Sequence, residues 1–407
     1  MSVPRMRVSV EDTAVPVTED AARPPAEGHE SDGGVTSRSI ALRWAWPAIA
    51  LYAGLRAFGV VFLWVLADEQ GRRLIDVLSK FDAGFYTQIA TNGYNQVIPL
   101  KANGELAPSN LAFFPLYPGL IAAVDPVLPG NARVAGVAVS WLAGLAAAWA
   151  LYAIGAHLRD RRTGILLAAL WAVLPHAVVQ SMGYTETLFT ALSAWSLYAL
   201  LRRHWVTAGL LCIAAGLTRP TGAALIATVG LAALIAVARR QDGWRPWVGG
   251  ALAPLGLLGY ITWVGLRLDR ADGYFHVQND AWKMSYDLGG FTLGTWHTAL
   301  IKPQPLAVYA TTLVLLTAMA LLALLVGARV PWPLVVFPAV VLTLAFFGDS
   351  YYATKARLLL PAFSLLLPVA LALAAAKRST SIVVVSALAV ISAGYGTYLC
   401  LAWTSSP

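Results

Sequence analysis

The stretch "KFDAGFYTQIATNGYN", residues 80–95, sets a single carboxylate, Asp82, among aromatic side chains. Phe81, Phe85 and Ile89, with Tyr86, suggest a short helix with one apolar face, because residues three and four apart share a side of a helix. An aspartate at the start of such a helix can cap it. It can equally act as a general base if partial burial tunes it. A second acid, Glu186 in "GYTETLF", opens another apolar run. There it gains from the helix dipole, or, as an ionisable group at membrane depth, marks function. Three cations join them: Arg219 in "GLTRPTG", and Lys355 and Arg357 in "YYATKARLLLPAF". A planar guanidinium can hold two phosphate oxygens at once, although Arg219 could also snorkel to an interface. General-base chemistry and anion binding are therefore what these residues could do.

Other chemistries find less support. His276 and His297 share the segment 267–304 with Asp280 and Asp287, but no metal-ligand spacing is present, so no metal is expected. Cys212 and Cys400 lie far apart in apolar runs and read as buried single thiols. No P-loop, G-x-G-x-x-G or G-x-S-x-G motif occurs, and no cofactor is expected. Trp282, Tyr286 and Trp296 could stack on a sugar ring, while interfacial belts explain most other Trp and Tyr.

The elements that must position these residues are membrane helices. The chain of 407 residues is 58% hydrophobic and 12% charged, where a soluble domain carries about 25% charge. Residues 1–40 differ: polar and without an apolar run, they are expected to be a disordered cytoplasmic tail ahead of a transmembrane domain at 41–407. Candidate spans are 46–67, 132–157, 164–181, 184–201, 205–218, 220–238, 246–266, 305–327, 332–347, 357–376 and 380–402. The "TRPTG" break at 218–222 favours two crossings rather than one over 205–238. Segment 111–128 is apolar but carries Pro115, Pro118, Asp125 and Pro126. If it does not cross, the basic clusters 159–162, 202–204, 239–245 and 377–378 all face the cytoplasm, as the positive-inside rule asks. The expected fold is therefore an all-α polytopic membrane protein with about eleven transmembrane helices. Its segment 111–128 is re-entrant or interfacial. The net charge of +8 then follows from topology, and no nucleic-acid partner is implied. Of 14 acids beyond residue 40, only Asp160 and Asp242 face inward on this topology. The polar chemistry falls in two outer regions, 68–131 and 267–304.

The order of these motifs resembles the PIG-V-like mannosyltransferase family, the second mannosyltransferases of GPI-anchor synthesis, within the GT-C glycosyltransferases. "FDAGFYTQIATNGYN" followed by "NLAFFPLYP" is similar to that family's first lumenal loop. Asp82, Ile89, Ala90, Gly93, Tyr94, Phe113, Phe114 and Pro115 match, while Phe81 stands where the family has Trp. "GYTETLFTALS", "AAGLTRPTGAAL" and "RLLLPAF" resemble later motifs of the family or superfamily, and the Ala/Arg-rich style resembles an actinobacterial homologue. The segment 267–304 matches no motif.

The resemblance implies a GT-C enzyme that transfers a sugar, mannose by family, from a polyprenyl-phosphate donor, with inversion and without a metal. Asp82 would take the acceptor proton, with Glu186 orienting the acceptor or serving as the base itself. Arg219, Lys355 and Arg357 would hold the donor phosphate. Tyr86, Tyr94 and Trp282 are the candidates for holding acceptor or sugar. The implied partners are a lipid-linked donor, membrane lipids, and a glycan, lipid or protein acceptor. The implied location is the cell membrane, with the N-terminus cytoplasmic and the active site on the outer face. A secondary transporter for a small polar or anionic solute is the rival, since charged intramembrane residues beside a proline-broken helix also suit transport.

Overall fold

Every regular element among the described residues is a helix. The computed structural model describes residues 33–349 and 351–406, with side chains from Leu42 onward. Helix α1 (Gly33–Asp68) carries an apolar stretch, Leu42–Asp68, of mean hydropathy 2.0. The expected tail lies, as far as residue 32, outside the described residues, and α1 begins eight residues before the boundary expected at 41. Residues Trp44–Pro407 form a single unit.

Two short helices, α2 (Leu74–Leu78) and α3 (Asp82–Asn92), come next. Then α4 (Leu116–Val124) supplies only nine residues, about 14 Å at 1.5 Å per residue. That is too short for a hydrocarbon core of about 30 Å, so 111–128 does not cross as one helix. Pro115 precedes α4 and Pro126 follows it, which bounds its length. It packs instead on its neighbours: the Tyr117 hydroxyl lies 2.8 Å from Gly136 O and 2.7 Å from Ser140 Oγ.

Helix α5 (Ala132–Leu158) is capped by Asn131, whose side chain accepts from the N–H groups of Arg133 and Val134. Helix α6 (Arg161–Ala172) is capped by Asp160, which accepts from Thr163 N at 2.8 Å. That backbone bond holds the Asp160 carboxyl below its usual range. The expected span 164–181 is broken. The helix stops at Ala172, turns through Leu174–Pro175–His176, and resumes as a 3₁₀ turn, Ala177–Ser181. Pro175 could not continue an α-helix without clash and a lost N–H.

The remaining helices are α7 (Glu186–Leu201), α8 (Trp205–Gly216), α9 (Gly222–Ala238), α10 (Arg245–Leu252), α11 (Leu255–Arg267), α12 (Gly273–His276), α13 (Gly290–Ile301), α14 (Leu306–Gly327), α15 (Pro333–Phe347), α16 (Lys355–Leu358), α17 (Leu367–Ala375) and α18 (Arg378–Leu401). The "TRPTG" break does separate α8 from α9.

Five stretches are long and apolar enough to cross a membrane: Leu42–Asp68, Ala132–Leu158, Arg245–Arg267, Leu306–Gly327 and Arg378–Leu401. The pair Tyr352–Leu358 and Phe363–Ala375, bent by 75° at its break, makes a sixth only if it is one broken span rather than a re-entrant loop. The other expected crossings are shorter helices, such as α6 with 12 residues and α15 with 15, against the roughly 20 that a straight span needs. Helix length therefore does not establish eleven crossings. The basic clusters meet in pairs. Arg162 donates to Leu373 O and Ala376 O, joining the first to the fourth, and Arg203 lies 3.3 Å from Asp242, joining the second to the third.

Small residues set the helix spacing, as they do where membrane helices approach closely. Helices α8 and α10 touch backbone to backbone: a Cβ added at Gly249 would lie 2.5 Å from Trp205 O, and one at Gly209 would lie 2.6 Å from Gly249 O. Gly249→Val must force the pair apart and is expected to cost about 2–3 kcal/mol, the upper range for overpacking. Thermal unfolding in detergent would record this as a lowered midpoint.

Candidate active site

The first site residue is placed by a strained turn. Phe81 has φ 55° and ψ −118°, and Ala83 N reaches back to Lys80 O at 3.4 Å. A bulky aromatic residue at positive φ is a genuine outlier, of a kind that costs roughly 1–3 kcal/mol and persists where surroundings over-determine it. The surroundings here are the buried side chains of α3, Ala83, Tyr86 and Ile89. Tyr86 packs edge-on against Phe113 and Tyr117, each 5.0 Å away between ring centres. The turn hands Asp82 to the first position of α3, where its side chain caps nothing. The capping reading of Asp82 gives way: its Oδ2 instead lies 2.5 Å from Nη2 of Arg357, 275 residues away.

From Arg357 a line of alternating charge runs inward. Its Nε is 3.7 Å from Oε1 of Glu186, and the same oxygen is 3.0 Å from Nη1 of Arg219. Asp82, Arg357, Glu186 and Arg219 thus form one network of two acids and two bases, with Glu186 only 3% exposed. The network is imperfectly satisfied. Arg219 Nε and Nη1 and Arg357 Nε are buried without an aligned hydrogen-bond acceptor. Arg357 also sits 5.1 Å from the centre of the Tyr184 ring, and Arg219 6.0 Å from that of Phe189, which offers weak cation–π support. The other fork of Arg357 donates to Ser406 Oγ at 3.1 Å.

Each member arrives from a helix end. Glu186 begins α7, Arg219 lies in the break before α9, and Arg357 lies in the four-residue α16. The 3₁₀ turn that leads into α16, Tyr352–Thr354, is held by Thr311, which donates to Ala353 O at 3.2 Å. Trp296 also steadies it by donating to the Tyr352 hydroxyl at 2.6 Å.

Not every expected residue joins. Lys355 is 2% exposed, yet its ammonium turns away. It donates to Thr292 Oγ1 at 2.9 Å, Ala345 O at 3.0 Å and Phe346 O at 3.3 Å, and also to Gly348 O. These carbonyls are the unpaired C-terminal end of α15, which attracts a cation. Tyr86 lies beside the network but has its hydroxyl 3.3 Å from Thr185 Oγ1. Tyr94 donates to Phe113 O at 2.8 Å and Trp282 to Ser109 O at 2.9 Å. Trp282 stands edge-on to Phe85 and Phe113, so these aromatics form a wall joining 68–131 to 267–304. His276 and Asp280 do pair at i,i+4, 2.5 Å apart. Among the described residues, however, no three metal-ligating side chains come together.

Two features escaped the sequence reading. Arg56 lies within α1, 3% exposed, and donates to Ala172 O at 3.2 Å and Ser181 Oγ at 2.9 Å. It fastens the broken end of α6, and its signal was an arginine in an apolar run. The second is an apolar cavity of about 300 Å³ between α6, α14 and the bent pair, lined by Leu174, His176, Val314, Ala356, Leu360 and Phe363 among others. Val369 is shared with a second groove of about 670 Å³ that reaches Gly327 and Ala328. From Leu313 to Ala328 the two follow α14 for about 22 Å at its rise per residue. Ala356 lines the cavity while Arg357 carries the network, on faces of α16 that diverge by about 100°.

No protein-family model matches the chain, and no curated protein matches it. Among solved structures it is similar to ArnT from Cupriavidus metallidurans bound to undecaprenyl phosphate, with 12% identity and a TM-score of 0.49 over 75% of this chain and 57% of that one. For the apo state of ArnT from the same organism the values are 15%, 0.46, 73% and 54%. The chain spans little more than half the length of these structures.

Proposed function

We propose that the protein is a GT-C-type membrane glycosyltransferase that moves a sugar from a polyprenyl-phosphate donor to an acceptor hydroxyl, with inversion. The observation that carries this reading is the convergence of Asp82, Glu186, Arg219 and Arg357 on one side of α16 and an apolar cavity on another. A carboxylate, a pair of guanidiniums and a slot for a hydrocarbon chain are what such a donor needs in one place. Mannose as the sugar, and kinship with the PIG-V-like family, rest on the motif resemblance alone. A site on the outer face of the cell membrane rests on the distribution of basic clusters. The acceptor is a glycan, lipid or protein hydroxyl.

In this mechanism the acceptor oxygen attacks the anomeric carbon from the face opposite the phosphate. The new C–O bond forms as the sugar–phosphate C–O bond breaks, and the electron pair leaves on phosphate oxygen. Asp82 receives the hydroxyl proton; among the described residues Oδ1 accepts no other bond, while Oδ2 faces Arg357. The underused N–H groups of Arg219 and Arg357 meet the growing charge on the leaving phosphate, a stabilisation that is strongest in a site shielded from water. These fixed cations fill the part a metal would otherwise play. Lys355 enters this scheme only by leaving its carbonyl cage.

Purified protein should transfer radiolabelled mannose from polyprenyl-phosphate-mannose to a membrane extract, with no uptake of small anions into proteoliposomes. Uptake without transfer would instead establish the transporter.

A further inference from the structure

His176 is buried to 1% exposure, and neither ring nitrogen has a hydrogen-bond partner among the described residues. Buried polar groups are satisfied in the great majority of cases, so two orphaned nitrogens on one ring require an explanation. His176 is not sealed in packed core: it lines the apolar cavity together with Ala356 and Leu360. One edge of the site is closed by Tyr395, whose ring stands edge-on 5.3 Å away and whose hydroxyl is also buried and unpartnered. Ala356, the neighbour of Arg357 in α16, lines the same cavity. Thr317 is the other lining residue with a side-chain hydrogen-bonding group, and it lies on α14. His176 and Thr317 are therefore the polar groups that this cavity offers, and the cavity adjoins the helix that carries Arg357.

We propose that His176 is a binding residue for the donor's head group, donating a ring N–H to a phosphate oxygen of a lipid whose hydrocarbon chain fills the cavity. The inference rests on the transferase reading above and deepens it. An amphiphile with one anionic head matches the site: the chain meets leucines, and the head meets an imidazole in a cavity that adjoins the helix carrying Arg357. A free phosphate would leave the cavity empty, and an uncharged lipid would leave His176 and the Arg357 Nε unsatisfied.

The test is binding of polyprenyl phosphate, and of the matching polyprenol without phosphate, to the full-length protein in detergent. Wild type should prefer the phosphate. His176→Ala and His176→Phe should each weaken phosphate binding by roughly 10- to 100-fold, the range for losing a hydrogen bond to a charged group, and leave polyprenol binding unchanged. His176→Gln, which keeps a donor, should recover most of the affinity. His176→Phe also removes the orphaned nitrogens at similar ring volume, so it should fold and melt no lower than wild type even if His176→Ala does not. In transfer assays the donor KM should rise without change in the acceptor KM. Equal phosphate affinity in wild type, His176→Ala and His176→Phe overturns the role of His176 and leaves the transferase reading standing. A wild type that does not distinguish phosphate from alcohol overturns both.

Discussion

Asp82→Asn is expected to cut sugar transfer by about 10²- to 10⁴-fold, the range for removing general acid–base help, in a protein that still folds. Asparagine is nearly isosteric and its carbonyl oxygen can still accept from Arg357 Nη2, the bond seen at 2.5 Å. Arg357 also keeps Glu186 at 3.7 Å and Ser406 at 3.1 Å, so its charge is not stranded. The loss should fall on kcat, because a proton acceptor works as the bond forms, while the donor KM stays close to wild type. Initial rates with both substrates saturating separate these. An unchanged kcat would remove Asp82 as the base and pass that role to Glu186, whose carboxylate lies on the far side of Arg357.

The largest stability effects should come from breaking the inner pair. Glu186→Ala leaves Arg219 and one flank of Arg357 facing no carboxylate at about one-tenth exposure. An uncompensated buried charge costs about 3–5 kcal/mol. Arg219→Ala should cost somewhat less, because Glu186 retains Arg357. The double variant Glu186→Ala/Arg219→Ala removes a neutral pair, and should be more stable than the sum of the single losses by about 0.5–3 kcal/mol. Unfolding of all three variants in one detergent gives the coupling directly. Simple additivity would mean that the two groups do not feel each other.

Helix limits were legible because they are local. Expected 132–157 is observed as Ala132–Leu158, and expected 305–327 as Leu306–Gly327. Apolar runs end at Asn131, Pro305 or a charged cluster, and those signals lie in the sequence itself. The break at Pro175 was equally local, but 164–181 read as one run because its apolar residues resume past the proline. The types of the site residues were legible too. Asp82, Glu186, Arg219 and Arg357 stand out as charges at the ends of apolar runs. Their partners were not, since the Asp82–Arg357 contact joins positions 275 apart and depends on how helices stack. Lys355 shows the limit most clearly. It sits two residues from Arg357, yet a rotation of about 200° along a helix sends one side chain to the carboxylates and the other to the end of α15. Composition cannot tell these directions apart.

The alternation of charge along Asp82, Arg357, Glu186 and Arg219 sums to zero. A phosphate arriving at such a line brings excess negative charge, and the guanidinium that meets it must loosen its hold on a carboxylate. For Arg357 that carboxylate is Asp82. Donor arrival and release of the base then become one exchange of partners, so Asp82 is held by its cation in the empty site and freed only when there is a sugar to transfer. Such a site imposes an order of addition, donor before acceptor.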